Sequence, residues 1–194
     1  METKPLPPVF LSGKLINLHL LDAEHHLNDC LLWLNDKQLT RFLITGRFPQ
    51  YPEAEKNWFN KATQEVERKI TLAIHKKDNG EYIGMMGLEK INYIHRTATS
   101  GSFIGSESNR GRGYGHDAKM ILLNYAFNSL NLRKINASAV AFNERSLRFN
   151  QACGYKIEAT LKQQLFVEGQ YYDEIMLAVY AEDFQPLWNK YLLE

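Results

Sequence analysis

Between a strand-like run ending at Phe103-Ile104-Gly105 and a long apolar helical stripe, the chain places Arg110-Gly111-Arg112-Gly113-Tyr114-Gly115-His116. The stripe follows at once, with Ala118, Ile121, Leu122, Tyr125 and Ala126 at the i, i+3, i+4, i+7, i+8 spacing of one buried helix face. The junction is therefore a glycine-rich turn from a strand into a helix. The first-turn amides of such a helix lack intrahelical partners and point outward, and the helix dipole adds positive potential there. Glycines let the backbone close on an anion and form nest-like turns. Arg110 and Arg112 add charge, and a guanidinium can grip phosphate with two hydrogen bonds. No acidic residue falls between Ser108 and His116. A pyrophosphate is the expected guest.

The rest of the chain reads as an α/β (α+β) fold around this junction. Residues 1–13 read as a Pro-rich N-terminal tail and residues 14–194 as one domain. A first strand spans 15–20, and Asp22 caps a helix that buries Leu27, Leu31, Leu32 and Leu34. Asn35-Asp36 breaks that helix, and Gly46 to Pro52 is a loop. Pro52-Glu53-Ala54-Glu55 starts a second helix, which carries Trp58, Phe59 and Ala62 to the core. Strands follow at 69–75, 82–91 and 98–105, the first two joined by a hairpin turn at Lys77-Asp78-Asn79-Gly80. The helix after the glycine loop spans 114–130, a strand spans 134–141, and a short helix at 143–152 is closed by Gly154. Strands at 155–161 and 172–180 join through a Glu168-Gly169 turn, and 181–193 closes the chain as a helix. Up to that last helix the order is βααβββαβαββ. It predicts a mixed, mostly antiparallel central sheet with helices on both faces.

Several function classes are disfavoured. A net charge of +1 gives no chain-wide drive onto nucleic acid or an anionic membrane. No apolar run approaches the roughly 18 residues that span a bilayer, and the N-terminus lacks the pattern of a signal peptide. Cys30 and Cys153 sit in no CxxC or Cys/His pattern, so neither a disulfide framework nor a metal site is expected. These features together predict a cytoplasmic protein with no nucleic-acid or membrane partner. Cys153, just before Gly154, reads as a buried small hydrophobe rather than a nucleophile. The P-loop pattern GxxxxGK[ST] and the dinucleotide pattern GxGxxG are both absent.

What remains is Arg110-x-x-Gly113-x-Gly115. Three further stretches accompany it: Ile91-Asn92-Tyr93-Ile94-His95-Arg96; Asn143-Glu144-Arg145-Ser146 with Gly154-Tyr155; and Glu168-Gly169-Gln170-Tyr171-Tyr172-Asp173. Taken in this order they resemble the GNAT superfamily of N-acetyltransferases, in the branch of ribosomal-protein N-terminal acetyltransferases and spermidine acetyltransferases. The resemblance runs from Leu15 to about Tyr180. It implies acetyl-CoA as co-substrate, no metal, and direct transfer to a primary amine in a ternary complex. Backbone amides of Arg110, Gly111, Arg112, Gly113, Tyr114, Gly115 and His116 would hold the pyrophosphate. Phe103, Ile104 and Gly105 would pair with the pantetheine like an extra strand and seat the acetyl carbonyl. Asn143 would hydrogen-bond the pantetheine arm, although Asn at this position equally suits an N-cap. Ser146 and Asn150 would face the thiol end.

The resemblance also implies gaps in the chemistry. In many relatives a Tyr stands where this chain has Asn150 and protonates the leaving thiolate; here Ser146 is the candidate for that role. The carboxylates that relatives use as general base fall at Thr99 and Leu165, which leaves Glu89, His95, Asp173 or a water relay. The acceptor stays open among a protein N-terminus, a polyamine, an amino sugar and an aminoglycoside. A second reading is a regulatory protein that binds coenzyme A and has lost catalysis. Relatives dimerise or form larger rings, so a homodimer or larger homo-oligomer is an expectation of the resemblance alone.

Overall fold

A computed structural model of the chain describes residues 5–43 and 47–193; Gly46 of the expected loop lies outside them. Eight strands form one sheet in the order β1-β2-β3-β4-β5-β6-β8-β7. They are β1 Val9–Ser12, β2 Ile16–Leu20, β3 Ile70–Lys76, β4 Tyr82–Asn92, β5 Thr97–Ile104, β6 Lys134–Val140, β7 Lys156–Val167 and β8 Gln170–Tyr180. The helices are α1 Ala23–Leu34, α2 Lys37–Thr40, α3 Pro52–Ala62, α4 Tyr114–Asn124, α5 Glu144–Ala152 and α6 Ala181–Leu193. Every neighbouring pair is antiparallel except β5 and β6, which run parallel. The sheet is thus mixed and mostly antiparallel, as the sequence predicts.

Several elements differ from the sequence reading: β7 runs to Val167 rather than ending at 161, and Leu32 of α1 is exposed rather than buried. Part of the stretch read as a tail, Val9–Ser12, is the edge strand β1, paired with β2 from Val9↔His19 to Ser12↔Asn17. It is short and follows two prolines, so its alternation is too brief to stand out. Asp36 does more than break α1: its carboxylate accepts from the Gln38 amide at 2.8 Å and caps the extra helix α2. The long helix ends in a π-wound segment, Tyr125–Ser129, where the Leu130 amide bonds the Tyr125 carbonyl at 3.1 Å.

Strand alternation sorts the core onto two faces. Leu72 and Ile74 of β3 pack with Ala118, Met120 and Leu122 of α4 and with Phe184 of α6. Ala73 and Met85 face the other way, against Cys30 of α1 and Phe59 and Ala62 of α3. The helix that follows the glycine loop therefore lies on one face, and α1 and α3 on the other. Among the described residues no helix is long and apolar enough to cross a membrane.

One buried carboxylate fixes α4 in place. Asp117, in the first turn of α4, accepts the backbone amides of Lys14 at 3.0 Å, Leu15 at 2.8 Å and Ile16 at 3.0 Å, and the Tyr191 hydroxyl at 2.6 Å. A Cβ on Gly13 would come within 2.3 Å of its Oδ2, so only glycine lets the β1–β2 turn close this far onto the carboxylate. The start of α4 is thereby tied to both the first hairpin and the last helix.

A buried pair of imidazoles holds α1 to the sheet. The Asp22 amide donates to His26 Nδ1 at 3.0 Å, which makes that nitrogen an acceptor and puts the proton on Nε2. His75 Nδ1 donates to the Gly80 carbonyl at 2.9 Å, which leaves its Nε2 as an acceptor. The two Nε2 atoms meet at 3.0 Å, donor to acceptor. Both rings are neutral in this arrangement, and burial lowers the pKa of each, that of His26 to about 4.

Candidate active site

The parallel pair β5 and β6 opens the site. The strands are in register only at Thr97↔Lys134, Ala98↔Ile135 and Thr99↔Asn136. Beyond that point β5 stays with β4 up to Gly84↔Ile104, and β6 stays with β8 up to Val140↔Glu174. The two strands therefore part in a V, and the backbone edge of β5 past Thr99 has no strand beside it.

A polar plug sits at the apex of the V. Ser100, the first residue past the last paired one, takes a hydrogen bond from Lys119 Nζ at 2.9 Å and shares one with the Tyr155 hydroxyl at 2.7 Å. Its hydroxyl also lies 3.4 Å from the Asn136 carbonyl. Lys119 is 1% exposed, and burial pushes its ammonium down to about 8. Its Nζ lies 5.3 Å from the Phe149 ring centre and 5.2 Å from that of Tyr155. The two aromatic faces and one hydroxyl satisfy a cation that would otherwise be costly to bury.

The glycine loop lies at the open end of β5. Gly111 and Gly113 have φ of +73° and +84°, a conformation glycine adopts without strain, and Gly113 is the N-cap of α4. The loop arginines make hydrogen bonds within the loop. Arg110 donates from Nε to the Ile104 carbonyl at 3.2 Å and from Nη2 to the Gly105 carbonyl at 3.0 Å. Arg112 donates from Nε to the Ser108 carbonyl at 2.7 Å. Carbonyls at a strand end have lost their ladder partners and need donors, and the guanidiniums supply them. Both arginines brace the loop.

Gly105 has its own steric reason to be glycine, since a Cβ there would come within 2.0 Å of the Trp33 ring on α1. Its amide already bonds the Ile83 carbonyl at 2.9 Å, so both its backbone groups have partners. The Phe103 ring packs edge-on to Trp33, with centroids 5.9 Å apart. Among the three strand-end residues, Ile104 keeps the backbone amide that faces away from β4.

On the other arm of the V, α5 brings three predicted residues together. Asn143 Oδ1 accepts the Ser146 amide at 3.1 Å and caps the helix. Asn150 Nδ2 donates to the Ser146 carbonyl at 2.9 Å and lies 3.4 Å from the Ser146 hydroxyl. Asn150 is 4% exposed, yet its Oδ1 has no hydrogen-bond partner among the described residues. A buried acceptor left unpaired is costly, and a donor from a bound molecule would remove that cost. Cys153 is fully buried and burial pushes its thiol up to about 12, which removes it as a nucleophile.

The carboxylates and histidine considered from sequence do not reach the mouth of the V. Glu89 pairs with Lys69 at 2.8 Å, and Asp173 is held by Lys162 at 2.8 Å and the Gln163 amide at 2.9 Å. His95 lies in the turn before β5, at the opposite end of that strand from Ile104. The register puts a further carboxylate on the α1–α3 side, and it too is not among the residues that line the mouth. Ile135 and Ala137 face α4 and α6, so Val140 and its partner Glu174 face the α1–α3 side. Phe142 and Tyr172 share that side, their ring centres 4.6 Å apart. Glu174 escapes a sequence reading because its position depends on the pairing of β8 with β6, which no local pattern reports.

The mouth is a cavity of about 540 Å³ between α2 and the β6–α5 junction. Gln38 lines it from α2, Arg41 and Phe42 from just after α2, Glu107 and Arg110 from the glycine loop and the turn before it, and Phe142, Asn143, Glu144 and Arg145 from the junction. An ion pair of 3.0 Å between Arg41 and Glu168 draws the β7–β8 turn over the same opening. Among the described residues no group of three or more His, Cys, Asp or Glu is arranged to hold a metal ion.

The acetyltransferase (GNAT) domain profile matches residues 16–156. The chain belongs to the GNAT family of acetyltransferases. It is an acetyl-CoA-dependent N-acetyltransferase. A spermidine N(1)-acetyltransferase of Vibrio cholerae is 27% identical over 149 residues, covering 77% of this chain and 80% of that one. A putative ribosomal N-acetyltransferase of Bacillus subtilis is 26% identical over 107 residues, covering 55% of this chain and 58% of that one. The crystal structure of a Vibrio cholerae spermidine N-acetyltransferase in complex with CoA and spermine superposes with a TM-score of 0.79. It is 21% identical and covers 87% of this chain and 97% of that one.

Proposed function

We propose that the V between β5 and β6 receives the pantetheine arm of acetyl-CoA and that the acetyl group is passed there to a primary amine entering from the α2 side. The observation that carries this reading is the free edge of β5 beside the α4 amides, with the orphaned Asn150 Oδ1 on the facing wall. The amides of Gly113, Tyr114, Gly115 and His116 hold the pyrophosphate, and Gly111, Arg110 and Arg112 keep the loop in the shape that presents them. Residues 102–104 offer their outer backbone edge to the arm. Asn143 offers its Nδ2, since Oδ1 is engaged as a cap.

Acetyl-CoA supplies an activated acyl carbon. In the transfer a C–N bond forms, the C–S bond breaks, one proton leaves the amine and one reaches the departing sulfur. Ser146, oriented beside Asn150, is the hydroxyl placed to hand a proton to the sulfur. Glu174, on the acceptor side of the sheet, is the carboxylate placed to receive the amine proton, directly or through water. Holding the two reactants in contact supplies about 7–11 kcal/mol of barrier lowering, so a weak base suffices.

Acetyl-CoA at about 100 times its Kd is expected to stabilise the fold by about 2.7 kcal/mol. For a chain of this length that is a rise of about 5–10 °C in the unfolding midpoint. Millimolar acetyl-CoA that leaves the midpoint unmoved would overturn the reading. Arg112→Glu removes the brace to Ser108 and puts a negative charge beside the pyrophosphate. It is expected to weaken acetyl-CoA binding by roughly tenfold or more, read by calorimetric titration.

A further inference from the structure

We infer that the acceptor amine carries an anionic group, a carboxylate or a phosphate, which Arg145 and Arg41 hold at the mouth of the V while the amine faces Glu174. The inference rests on the acetyl-transfer reading and names the substrate class for it.

The mouth presents guanidinium groups rather than an acidic lining. Arg41, Arg110 and Arg145 line it, against the two carboxylates Glu107 and Glu144. Glu144 is turned outward to Arg148 at 3.0 Å, with both side chains 72% exposed. Arg145 forms no ion pair among the described residues and lies over the Phe42 ring at 5.9 Å. Arg41 lies over Phe42 at 5.5 Å and Phe142 at 5.6 Å. Its carboxylate partner Glu168 is itself more than half exposed. Both guanidiniums thus lie against the Phe42 ring at the rim of one opening. Arg110 adds a third positive charge, and its pKa falls through burial and through the nearby charge of Arg145. Arg41 has Glu168 and Arg110 has Glu107 beside it, which leaves Arg145 as the guanidinium at the opening without a carboxylate partner among the described residues, and its charge favours an anionic guest.

Glu174 is not among the residues that line the cavity; register puts it on the same side of the sheet. It shares the acceptor side of the sheet with Phe142 and Tyr172, on the arm of the V that β6 and β8 form. An ammonium group drawn to this carboxylate points toward the thioester, while the anion at its far end meets the arginines. A guest with one amine and one anion matches both ends. A guest with several amines matches only one.

The test measures thiol release at saturating acetyl-CoA with five acceptors: glycyl-glutamate and glucosamine 6-phosphate as the anionic amines, spermidine and kanamycin as polycations, and glycinamide as the neutral control. The anionic amines are expected to exceed the polycations at least tenfold in kcat/KM, and the better of the two tells carboxylate from phosphate. Arg145→Ala should raise the KM of that acceptor roughly tenfold, with Arg145→Lys recovering part of the loss, while the calorimetric Kd of acetyl-CoA stays within about twofold. Preference for spermidine or kanamycin would overturn the inference. So would an Arg145→Ala variant that loses acetyl-CoA affinity instead of acceptor affinity, since the guanidinium would then belong to the cofactor. Wild-type protein that fails to bind acetyl-CoA in the calorimeter would bring down the acetyl-transfer reading itself, an outcome distinct from binding with the wrong acceptor preference.

Discussion

Asp117→Ala is expected to lower the thermal unfolding midpoint by roughly 10 °C and to weaken acetyl-CoA binding at the same time. The carboxylate accepts three backbone amides and one tyrosine hydroxyl, all at 2.6–3.0 Å. Alanine cannot replace any of these bonds. Each buried donor left without an acceptor costs about 1–3 kcal/mol, and water entering the vacated space recovers some of that. A net loss of about 4 kcal/mol corresponds to about 8–16 °C for a domain of this size. The binding effect follows from position, because the same residue fixes the first turn of α4 against the β1–β2 turn and α6. Asp117→Asn keeps the size but turns one acceptor oxygen into a donor, and should fall between wild type and alanine. Circular-dichroism melts of the three proteins check this. A midpoint within 2 °C of wild type for Asp117→Ala would contradict it.

The fold should also weaken in mild acid, through the imidazole pair between α1 and β3. His26 titrates near 4 in the folded chain against about 6.5 when unfolded, chiefly because it is buried and secondly because His75 is near. Above pH 6.5 both states are neutral and the pair costs nothing. As pH falls from 6.5 to 4 the unfolded chain takes up the proton first, so stability declines through that window and levels off below it. The displacement amounts to about 3 kcal/mol for His26, and the lowering at His75 acts in the same direction. The groups around the pair do not offset this. His19 lies 4.5 Å from His75 and His25 lies 6.1 Å from His26, ring centre to ring centre. Tyr82 stays neutral, 4.5 Å from His26. Among the described residues Asp22 is a carboxylate that acts on His26, and it is engaged with the Glu24 amide and His25. Urea unfolding at steps from pH 7.5 to 4.5 should show the decline in wild type and a shallower one in His26→Gln. Identical slopes would contradict the assignment.

Much of the fold is legible in the sequence because its signals are local. The stripe from Ala118 to Ala126 predicts α4, Asn79-Gly80 and Glu168-Gly169 predict their turns, and Gly154 predicts the end of α5. The glycine loop is legible for the same reason, since Gly111 and Gly113 take positive φ. What the sequence leaves hidden depends on contacts made across the chain. Strand β1 is defined by its pairing with β2 rather than by its own pattern. The bonds of Arg110 to the strand-end carbonyls of Ile104 and Gly105 depend on how the loop folds back onto β5. The plug of Lys119, Ser100 and Tyr155 joins α4, β5 and the start of β7, and no spacing announces it. Glu174 gains its place from register alone.

The central claim is that the V between β5 and β6, with the α4 amides at its end, is where acetyl-CoA sits. A crystal structure of the coenzyme A complex tests it most directly. The account predicts pyrophosphate oxygens at about 3 Å from the amides of residues 113–116 and a pantetheine arm lying along residues 102–104, with a donor brought to Asn150 Oδ1. Coenzyme A bound elsewhere on the chain, with the free edge of β5 still empty, would contradict it.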